Sequence, residues 1–339
     1  MTPQDIARAV DVIRAGGVVG MPTETVYGLA CDATNGQAVA RVFEVKARPS
    51  FDPLIAHVAD RAMAGSITQG EWPVAAQRLV EAFWPGPLTL VLPRAAAGAG
   101  LPGVAELATS GLDTVAVRCP SGGVARRLIE GAGVPLAAPS ANRFGSISPT
   151  TAEAVRAELG DAVDVVLDGG PCEHGLESTV VGFEEGGAPV VLRLGAVTLE
   201  QLGEVLGDAP TVRSGGSRPA APGMLDRHYA PRTPMRLVET WEAAVEASRT
   251  FLGGPEGRVG LLAPGLLDDE GGRAADLAAG FAVSRRLRVG DDLRASAAVL
   301  FAAMRDLDGL GLVRIVVVAA PERGLGRAIN DRLRRASAR

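Results

Sequence analysis

The chain has 339 residues, which exceeds one ordinary domain, so we expect two domains that each bury a core. Hydrophobic residues make up 47% of the chain and charged residues 22%, a balance that excludes a disordered protein. The net charge of −5 and an aromatic content of 4% argue against an extended nucleic-acid surface, because such a surface needs basic residues and stacking rings. No apolar run is long enough to span a bilayer.

The N-terminal residues and the cysteines bear on the cellular compartment. Thr2 caps a predicted helix. The N-terminal segment lacks the basic and then apolar order of a signal peptide, so we expect a cytoplasmic location. Cys31, Cys119 and Cys172 are widely separated, and none belongs to a CxxC pair. Structural zinc and a disulfide framework are therefore not expected.

The first predicted elements place two cations at a helix end. They are a helix over 2–15, a strand over 18–21, a polar turn over 22–29, a helix over 37–46 and a strand over 54–58. Lys46 is the only lysine of the chain, and Arg48 follows it, just before Pro49. A compact ammonium beside a forked guanidinium suits phosphate or carboxylate oxygens. The pattern predicts an anion clamp, and two solvated charges at a helix end are the alternative.

Two polar residues fall on strands that are predicted to be buried. Arg118 lies near the end of a strand over 114–120, and His57 lies on the strand over 54–58. A charge at the end of a buried strand needs a partner or an anionic ligand, so Arg118 is a candidate for ligand binding. A lone histidine on a strand is more often structural, and His57 is retained as a candidate ligand contact.

Small polar side chains follow other predicted strands. Ser140, Asn142 and Ser148 follow a short strand that begins at Pro135, where small residues allow a ligand to approach the backbone. Ser178 stands just before another strand. A local turn hydrogen bond is the alternative role for each of them.

The order of elements predicts an α+β domain over residues 1–206 and a different domain over 234–339. Strands of the first domain are predicted at 163–167, 179–183 and 190–194. Their spacing suits a mixed sheet. Residues 207–233 are rich in Pro, Gly, Ser and Arg without a helical or strand period, which predicts a linker that acts as a lid over the active site. Beyond it, strands alternate with helices, as in a small parallel α/β domain.

Seven short motifs occur along the chain in a specific order. They are Pro22-Thr23-Glu24-Thr25-Val26-Tyr27-Gly28-Leu29, Lys46-x-Arg48-Pro49, Pro53-Leu54-Ile55-x-His57, Trp84-Pro85-Gly86-Pro87-Leu88-Thr89, Ser140-x-Asn142, Glu177-Ser178-Thr179-Val180 and His228-Tyr229-Ala230-Pro231. In this order the chain resembles the YrdC-type threonylcarbamoyl-adenylate synthases, in the longer form with a C-terminal α/β domain. The resemblance runs nearly end to end and implies a twisted mixed β-sheet with helices around a concave site, followed by a Rossmann-like domain.

The resemblance also implies an activity. Members of this family are nucleotidyltransferases that condense L-threonine, bicarbonate and ATP to threonylcarbamoyl-AMP and pyrophosphate. The product serves threonylcarbamoyladenosine modification next to the anticodon of ANN-decoding tRNAs. We therefore expect Mg²⁺ to bind through the ATP phosphates rather than at a protein metal site. Downstream threonylcarbamoyl-transfer proteins are the expected partners, with weak tRNA contact and no membrane contact.

Carried over to matching positions, the resemblance implies two groups of site residues. The threonine group comprises Thr25, His57, Arg118, Ala138 and Ser178. The nucleotide group comprises Arg48, Asp52, Thr114, Ser140, Asn142, Ser148, Arg193 and Tyr229, with Lys46 and Arg48 as the catalytic cations. Asp52 replaces an asparagine that is frequent in the family, which places a carboxylate near the phosphates unless it meets Mg²⁺ or ribose.

Two other functions compete with this interpretation. One is a module that binds double-stranded RNA or tRNA without synthase activity, although the net charge and the scarcity of aromatic residues weigh against it. The other is a related carbamoyl-adenylate enzyme of metallocentre maturation. Such enzymes carry zinc-finger-like segments, and this chain lacks their cysteine pattern.

Overall fold

The computed structural model describes residues 2–96, 103–213, 228–251, 258–263, 281, 283–286 and 292–338. The chain divides into two compact units. Unit 1 comprises Met1–Phe144, Ser148–Glu173 and Glu177–Leu225, and unit 2 comprises Gly145–Ile147, His174–Leu176 and Asp226–Arg339. Within the described ranges, every helix is too short or too polar to cross a bilayer.

Unit 1 is built from helices α1–α7 and strands β1–β10. The helices are Pro3–Arg14, Gly36–Lys46, Arg61–Ile67, Val74–Phe83, Gly123–Ala132, Ala152–Leu159 and Leu199–Leu206. The strands are Val19–Met21, Gly28–Asp32, Ile55–His57, Leu88–Pro93, Thr114–Arg118, Leu136–Ala137, Val165–Val166, Thr179–Phe183, Pro189–Arg193 and Thr211–Val212. Short 3₁₀ helices occur at Glu106–Thr109 and Gly160–Ala162.

The strands of unit 1 form one sheet in the order β10-β9-β8-β4-β5-β3-β6-β2-β1-β7. β3 runs parallel to β5 and β4 runs parallel to β8, whereas β4 and β5 are antiparallel. Parallel and antiparallel pairs therefore occur within one sheet, which confirms the predicted mixed α+β architecture.

Local sequence accounts for the ends of the helices. Thr2 and Asp5 form a reciprocal capping box at the start of α1. Asn35 caps α2, which ends where Ala47 adopts a left-handed conformation with φ 51°. This conformation is uncommon for a residue with a Cβ, and it redirects the chain between Lys46 and Arg48.

The core of unit 1 lies on both faces of the sheet. On β2, Leu29 and Cys31 pack into one hydrophobic cluster and Ala30 packs into another. Successive strand side chains point to opposite faces, so a strand that is buried on both faces has an unbroken apolar run. Helices α1 and α5 cover the face that Ala30 shares, and α2 and α4 contribute to the other cluster.

Unit 2 contains strands β11–β14 and helices α8–α10. The strands are Met235–Val238, Val259–Ala263, Val283–Arg286 and Arg314–Val318, and the helices are Trp241–Phe251, Leu293–Asp308 and Leu325–Ser337. The strands pair in parallel in the order β11-β14-β12-β13. The predicted second domain with a parallel sheet is confirmed. β13 was not predicted, because its sequence Val-Ser-Arg-Arg has no apolar run.

One element lies inside the predicted linker over 207–233. β10 pairs in parallel with β9 at Val190 and Val191, so this part of the linker is a strand. The interpretation that the linker lacks a strand is wrong at Thr211–Val212. Two residues are too few to produce a recognisable period, and the pairing depends on the neighbouring strand. Residues 214–227 of the predicted lid lie outside the described residues.

Candidate active site

His57 and Arg118 are opposite one another on the parallel strands β3 and β5. Each is the last residue of its strand, and only 3% of each residue is exposed. The carboxyl edge of this strand pair therefore presents an imidazole beside a guanidinium. Both residues belong to the predicted threonine group, and the structure brings them together.

The Arg118 guanidinium is held in place by three hydrogen bonds. It donates to Glu24 Oε1 at 2.6 Å, to Thr25 Oγ1 at 2.8 Å and to the carbonyl oxygen of Gly86 at 3.3 Å. Glu24 Oε2 accepts a further hydrogen bond from the Gly122 N–H at 3.4 Å. Burial by itself would raise the pKa of Glu24, but the Arg118 charge outweighs it and lowers that pKa to about 2. The two side chains therefore form a fully charged buried pair.

His57 is neutral at physiological pH. Burial is the main cause of its lowered pKa, and the positive charge of Arg118 lowers the pKa further, to about 3. The Nδ1 atom lies 3.2 Å from the carbonyl oxygen of Ile55, which can only accept a hydrogen bond. His57 therefore acts as a hydrogen-bonding group beside Arg118 and not as a second cation.

Ser178 forms hydrogen bonds with β4 and with the end of β9. Its Oγ lies 2.7 Å from Thr89 Oγ1, and the Arg193 guanidinium donates to it at 3.1 Å and to its carbonyl oxygen at 2.9 Å. The loop after β9 approaches this segment closely, since a Cβ on Gly195 would lie 2.4 Å from the carbonyl carbon of Ser178. Ser178 from the threonine group and Arg193 from the nucleotide group are thus in direct contact.

Lys46 is enclosed by the protein, with 1% of the residue exposed. Its ammonium donates to the carbonyl oxygens of Ser140 and Asn142, each at 2.5 Å, and its own carbonyl accepts from the Phe144 N–H at 2.7 Å. Burial lowers the pKa of Lys46 well below its ordinary value, and the neighbouring charge of Arg48 acts in the same direction. Two of its three N–H donors therefore hold the backbone that follows β6 against the end of α2.

Arg48 folds back over the loop that follows it. Its Nε donates to the carbonyl oxygen of Asp52 at 3.0 Å, and its NH2 group donates to that of Pro53 at 2.9 Å. The NH2 group also lies 2.8 Å from Asp52 Oδ2, and the side chains are 4% and 0% exposed. The two cations of the predicted clamp are thus both anchored to backbone carbonyls.

Asp52 has an unusual environment for a carboxylate. Asp52 is fully buried, and the Arg48 guanidinium that lies 2.8 Å from Oδ2 is its counter-charge. Burial raises the pKa of Asp52, while Arg48, Lys46 and Arg193 act to lower it. One buried carboxylate therefore lies within the electrostatic influence of three cations.

Two more predicted residues are held by hydrogen bonds to other segments of unit 1. Ser148 Oγ donates to Glu177 Oε1 at 2.6 Å, and both residues are buried. The Ala138 N–H donates to the carbonyl oxygen of Ile55 at 3.1 Å, which joins the loop after β6 to β3. Ala138 thereby lies next to the strand that carries His57.

Thr114 lies at the opposite end of β5 from Arg118. They are four residue steps apart along the strand, a distance of about 13 Å at roughly 3.3 Å per residue. Ile55 pairs with Ala116, so Thr114 is level with Pro53 in the loop before β3. The nucleotide-group loop and the threonine-group pair thus occupy different ends of the same strand pair.

Tyr229 belongs to unit 2, where its side chain is packed on several sides. Its ring stacks on Phe301 with centroids 5.6 Å apart, and the Arg332 guanidinium lies 5.1 Å from the ring centroid. His228 meets the ring edge-on at 4.2 Å. Tyr229 has a backbone φ of 64°, so the chain is turned sharply at this position.

Three residues of this site were not predicted as site residues: Glu24, Thr89 and Glu177. Each lies inside a motif that was recognised, and Glu24 and Glu177 stand out as carboxylates beside buried strands. That juxtaposition is the signal that could have identified them. Within the described ranges, no group of three or more His, Cys, Asp or Glu side chains could hold a metal ion.

Comparison with known proteins bears on both units. Residues 11–195 match the family model described as telomere recombination, of the Sua5, YciO and YrdC proteins, and residues 197–338 match the C-terminal domain of threonylcarbamoyl-AMP synthase. Threonylcarbamoyl-AMP synthases of Pyrococcus abyssi and Bacillus subtilis are each 38% identical to the chain. The first alignment covers 97% of this chain and 93% of the relative, and the second covers 98% and 92%.

A solved structure shows the same architecture. The crystal structure of P. abyssi Sua5 complexed with L-threonine matches with a TM-score of 0.86 and 37% identity, over 98% of this chain and 94% of that chain. Fold and site together thus define a two-domain protein with a YrdC-like mixed sheet and a parallel α/β domain. The chain belongs to the threonylcarbamoyl-AMP synthase family, a family of enzymes, and the predicted resemblance is confirmed.

Proposed function

We propose that this protein is an L-threonylcarbamoyladenylate synthase. The observation that carries the proposal is the 38% identity to threonylcarbamoyl-AMP synthases over 97% of the chain, which includes both units. The charged pair and neutral imidazole at the end of β3 and β5 support it, because they suit a small zwitterion such as threonine. A guanidinium is a donor for its carboxylate, and a buried neutral imidazole adds no competing charge.

The proposed reaction needs two bond-forming steps. The threonine amine attacks the carbon of bicarbonate or of CO₂ to form a carbamate, with loss of water from bicarbonate. A carbamate oxygen then attacks the α-phosphorus of ATP, and the bond to the β-phosphate oxygen breaks to release pyrophosphate. Neither step requires a protein nucleophile, so the contribution of the protein is positioning and charge stabilisation.

The threonine group and the nucleotide group are proposed to bind the two ends of the product. Arg118 and His57 would bind threonine, and Arg48, Asp52 and Thr114 would face the nucleotide. Thr114 lies about 13 Å from Arg118 along β5, whereas the contact between Ser178 and Arg193 joins the two groups, which suits a product with an amino acid linked to an adenylate. Mg²⁺, bound through the ATP phosphates, would neutralise triphosphate charge.

The wider role follows from the same proposal. Threonylcarbamoyl-AMP would be handed to transfer proteins that modify adenosine in tRNA, with weak tRNA contact, in the cytoplasm. We propose residues 1–206 as the catalytic domain, 207–233 as a lid and 234–339 as the C-terminal domain. Tyr229 remains a predicted nucleotide contact.

The first experiment is pyrophosphate release from ATP with L-threonine and bicarbonate, omitting one component at a time and detecting the adenylate by mass. We expect release only when all three are present, together with the threonylcarbamoyl-AMP mass. Arg48→Ala should reduce the rate roughly 10²–10³-fold, the usual effect of losing one preorganised donor. Release that is indifferent to threonine would overturn the proposal, and salt-sensitive tRNA affinity without turnover would favour the RNA-binding alternative.

A further inference from the structure

We infer that Tyr27 is a positioning residue that fixes the spacing between the threonine group and the nucleotide group, and that its hydroxyl is required for this. The inference rests on the proposed function and deepens it, because it gives a role to a residue of the first motif that belongs to neither group. Tyr27 acts through the segments that it holds and contacts neither substrate.

Every polar atom of Tyr27 is hydrogen bonded to a distant part of unit 1, and the residue is 0% exposed. Its backbone N–H donates to the carbonyl oxygen of Pro149 at 2.9 Å, and its own carbonyl oxygen accepts from the Ala141 N–H at 2.8 Å. The hydroxyl donates to the carbonyl oxygen of Gly170 at 2.8 Å and accepts from the Gly169 N–H at 3.1 Å. Three separate segments therefore meet at one buried residue.

Two of these segments carry nucleotide-group residues. Ala141 stands between Ser140 and Asn142, and Pro149 directly follows Ser148. The backbone bonds of the tyrosine thus hold the immediate neighbours of three residues that are proposed to meet the nucleotide.

The threonine group is reached through the turn that precedes Tyr27. Thr25 Oγ1 accepts from the Arg118 guanidinium at 2.8 Å and lies 2.9 Å from Thr23 Oγ1. The Thr23 hydroxyl also donates to the carbonyl oxygen of Val26 at 2.6 Å. Because the turn is hydrogen bonded within itself, a displacement of Tyr27 also displaces Thr25.

The tyrosine hydroxyl links this turn to the segment 169–172. The Cys172 N–H donates to the carbonyl oxygen of Thr150 at 2.9 Å, so the same segment is also held beside the nucleotide-group residues. A Cβ on Gly169 would lie 2.7 Å from Cβ of Pro22, which shows that the segment packs against the start of the turn as well. The hydroxyl therefore completes a closed set of contacts between the two groups.

The hydroxyl is a lasting donor. Burial raises the pKa of Tyr27 to about 12, so the phenol keeps its proton at physiological pH. A position that needs only apolar area would be served by phenylalanine, whereas a buried phenol contributes through both of its hydrogen bonds. Tyr27→Phe removes these two bonds and leaves the ring and both backbone bonds in place.

The spacing matters because a carbamate oxygen must approach the α-phosphorus in line. A misplacement of about 1 Å can cost on the order of 10²-fold in rate. Each group keeps its own anchors in Tyr27→Phe, since Arg118 still donates to Thr25 and Lys46 still donates to the carbonyl oxygens of Ser140 and Asn142. The loss should therefore appear in kcat rather than in the binding of either substrate.

The test measures pyrophosphate release by wild type and Tyr27→Phe while L-threonine and ATP are varied in turn. We expect kcat to fall at least about tenfold and both KM values to stay within about threefold of wild type. The matched control is Thr68→Val. The Thr68 hydroxyl is buried, donates to the carbonyl oxygen of Ala64 at 3.0 Å and accepts from Trp72 Nε1 at 3.0 Å, so the same kind of bonds is lost. Its kcat should equal that of wild type.

Hydrogen exchange supplies a measurement that does not depend on turnover. We expect the amides of 22–27 and 169–172 to exchange at least about tenfold faster in Tyr27→Phe than in wild type, and at the wild-type rate in Thr68→Val. Unchanged exchange overturns the inference. If wild type releases no pyrophosphate, the proposed function fails, and hydrogen exchange then decides whether the hydroxyl holds these segments.

Three kinetic outcomes also overturn the inference: wild-type kcat in Tyr27→Phe, a loss confined to KM, or an equal loss of kcat in Thr68→Val. Gly169→Ala is the second variant if Tyr27→Phe folds poorly. It places a Cβ against Pro22 and displaces the same segment without altering the tyrosine. We expect the same fall in kcat with little change in KM, and wild-type kcat in Gly169→Ala would contradict the role of the segment.

Discussion

Arg118 and Glu24 form a hydrogen-bonded ion pair at 2.6 Å, with side chains that are each 4% exposed. The pair joins the end of β5 to the loop between β1 and β2, two segments that are far apart in the chain. A buried pair offsets its desolvation cost only while both partners are present. Glu24 therefore sets the charge state and orientation of the guanidinium that is proposed to meet threonine.

Replacing Glu24 with Gln keeps the volume of the side chain and removes its charge. We expect the free energy of unfolding to fall by about 3 kcal/mol, because Arg118 remains buried without a counter-charge. The KM for threonine should rise more than kcat falls, since the guanidinium loses its fixed orientation. Urea unfolding and steady-state kinetics measure the two effects.

The matched control for Glu24 is Glu130→Gln. Glu130 pairs with Arg126 at 3.6 Å, and its side chain is 52% exposed. Removing an exposed pair costs less than about 1 kcal/mol, and the threonine KM should not change. Equal effects of the two substitutions would contradict the role assigned to Glu24.

Lys46 is expected to act by holding the backbone after β6 as well as by its charge. Lys46→Met removes the donors to the carbonyl oxygens of Ser140 and Asn142, so we expect a loss of about 2 kcal/mol in stability and a 10²–10³-fold lower rate. Lys46→Arg should rescue neither property, because a planar guanidinium does not fit a site that is 1% exposed. Wild-type turnover in Lys46→Arg would contradict this prediction. Arg143→Met, on the exposed surface of the same loop, is the control.

His57 should make the protein sensitive to mild acid. Its pKa is about 3 when folded and 6.5 in the reference state, so the unfolded chain takes up a proton first as the pH falls below 6.5. Between pH 6.5 and 5, this uptake should cost about 2 kcal/mol of stability. Glu24, with a pKa of about 2 against 4.5, adds its own loss only as the pH falls below about 4.5.

His57→Gln tests this prediction by comparing denaturant midpoints at pH 7, 6 and 5. We expect the variant to be less stable than wild type at pH 7 but to show a flatter decline toward pH 5. A decline as steep as that of wild type would mean that another group takes up the proton.

Gly195 is expected to tolerate no side chain. A Cβ there would lie 2.4 Å from the backbone of Ser178, so Gly195→Ala must displace the segment that carries this hydroxyl. We expect a destabilisation of about 1–3 kcal/mol, typical of overpacking, together with a raised threonine KM. Gly36→Ala is the control, because nothing lies within 4 Å of its Cβ position, and it should stabilise α2 by about 0.5–1 kcal/mol. Similar effects of both changes would refute the close-approach argument.

Sequence patterns determined the local structure and the family of this protein. The capping box at Thr2, the end of α2 before Pro49 and strand β8 depend on neighbouring residues, which is why periodicity and turn chemistry predict them. Short strands could not be predicted in this way. β10 and β13 exist because adjacent strands offer backbone hydrogen bonds, and their own residues show no strand pattern.

The sequence alone identified Lys46, Arg48 and Asp52 as charged residues at and just after the end of α2, but their partners depended on the tertiary structure. Folding directs the lysine to two backbone carbonyls more than 90 residues away and buries the aspartate against the Arg48 guanidinium. The physical reason is that a charge cannot be buried without its nearest dipoles and counter-charges, and those come from distant segments. The residue types of the site could therefore be identified from the sequence. Packing decided which of their polar atoms are engaged by other parts of the protein.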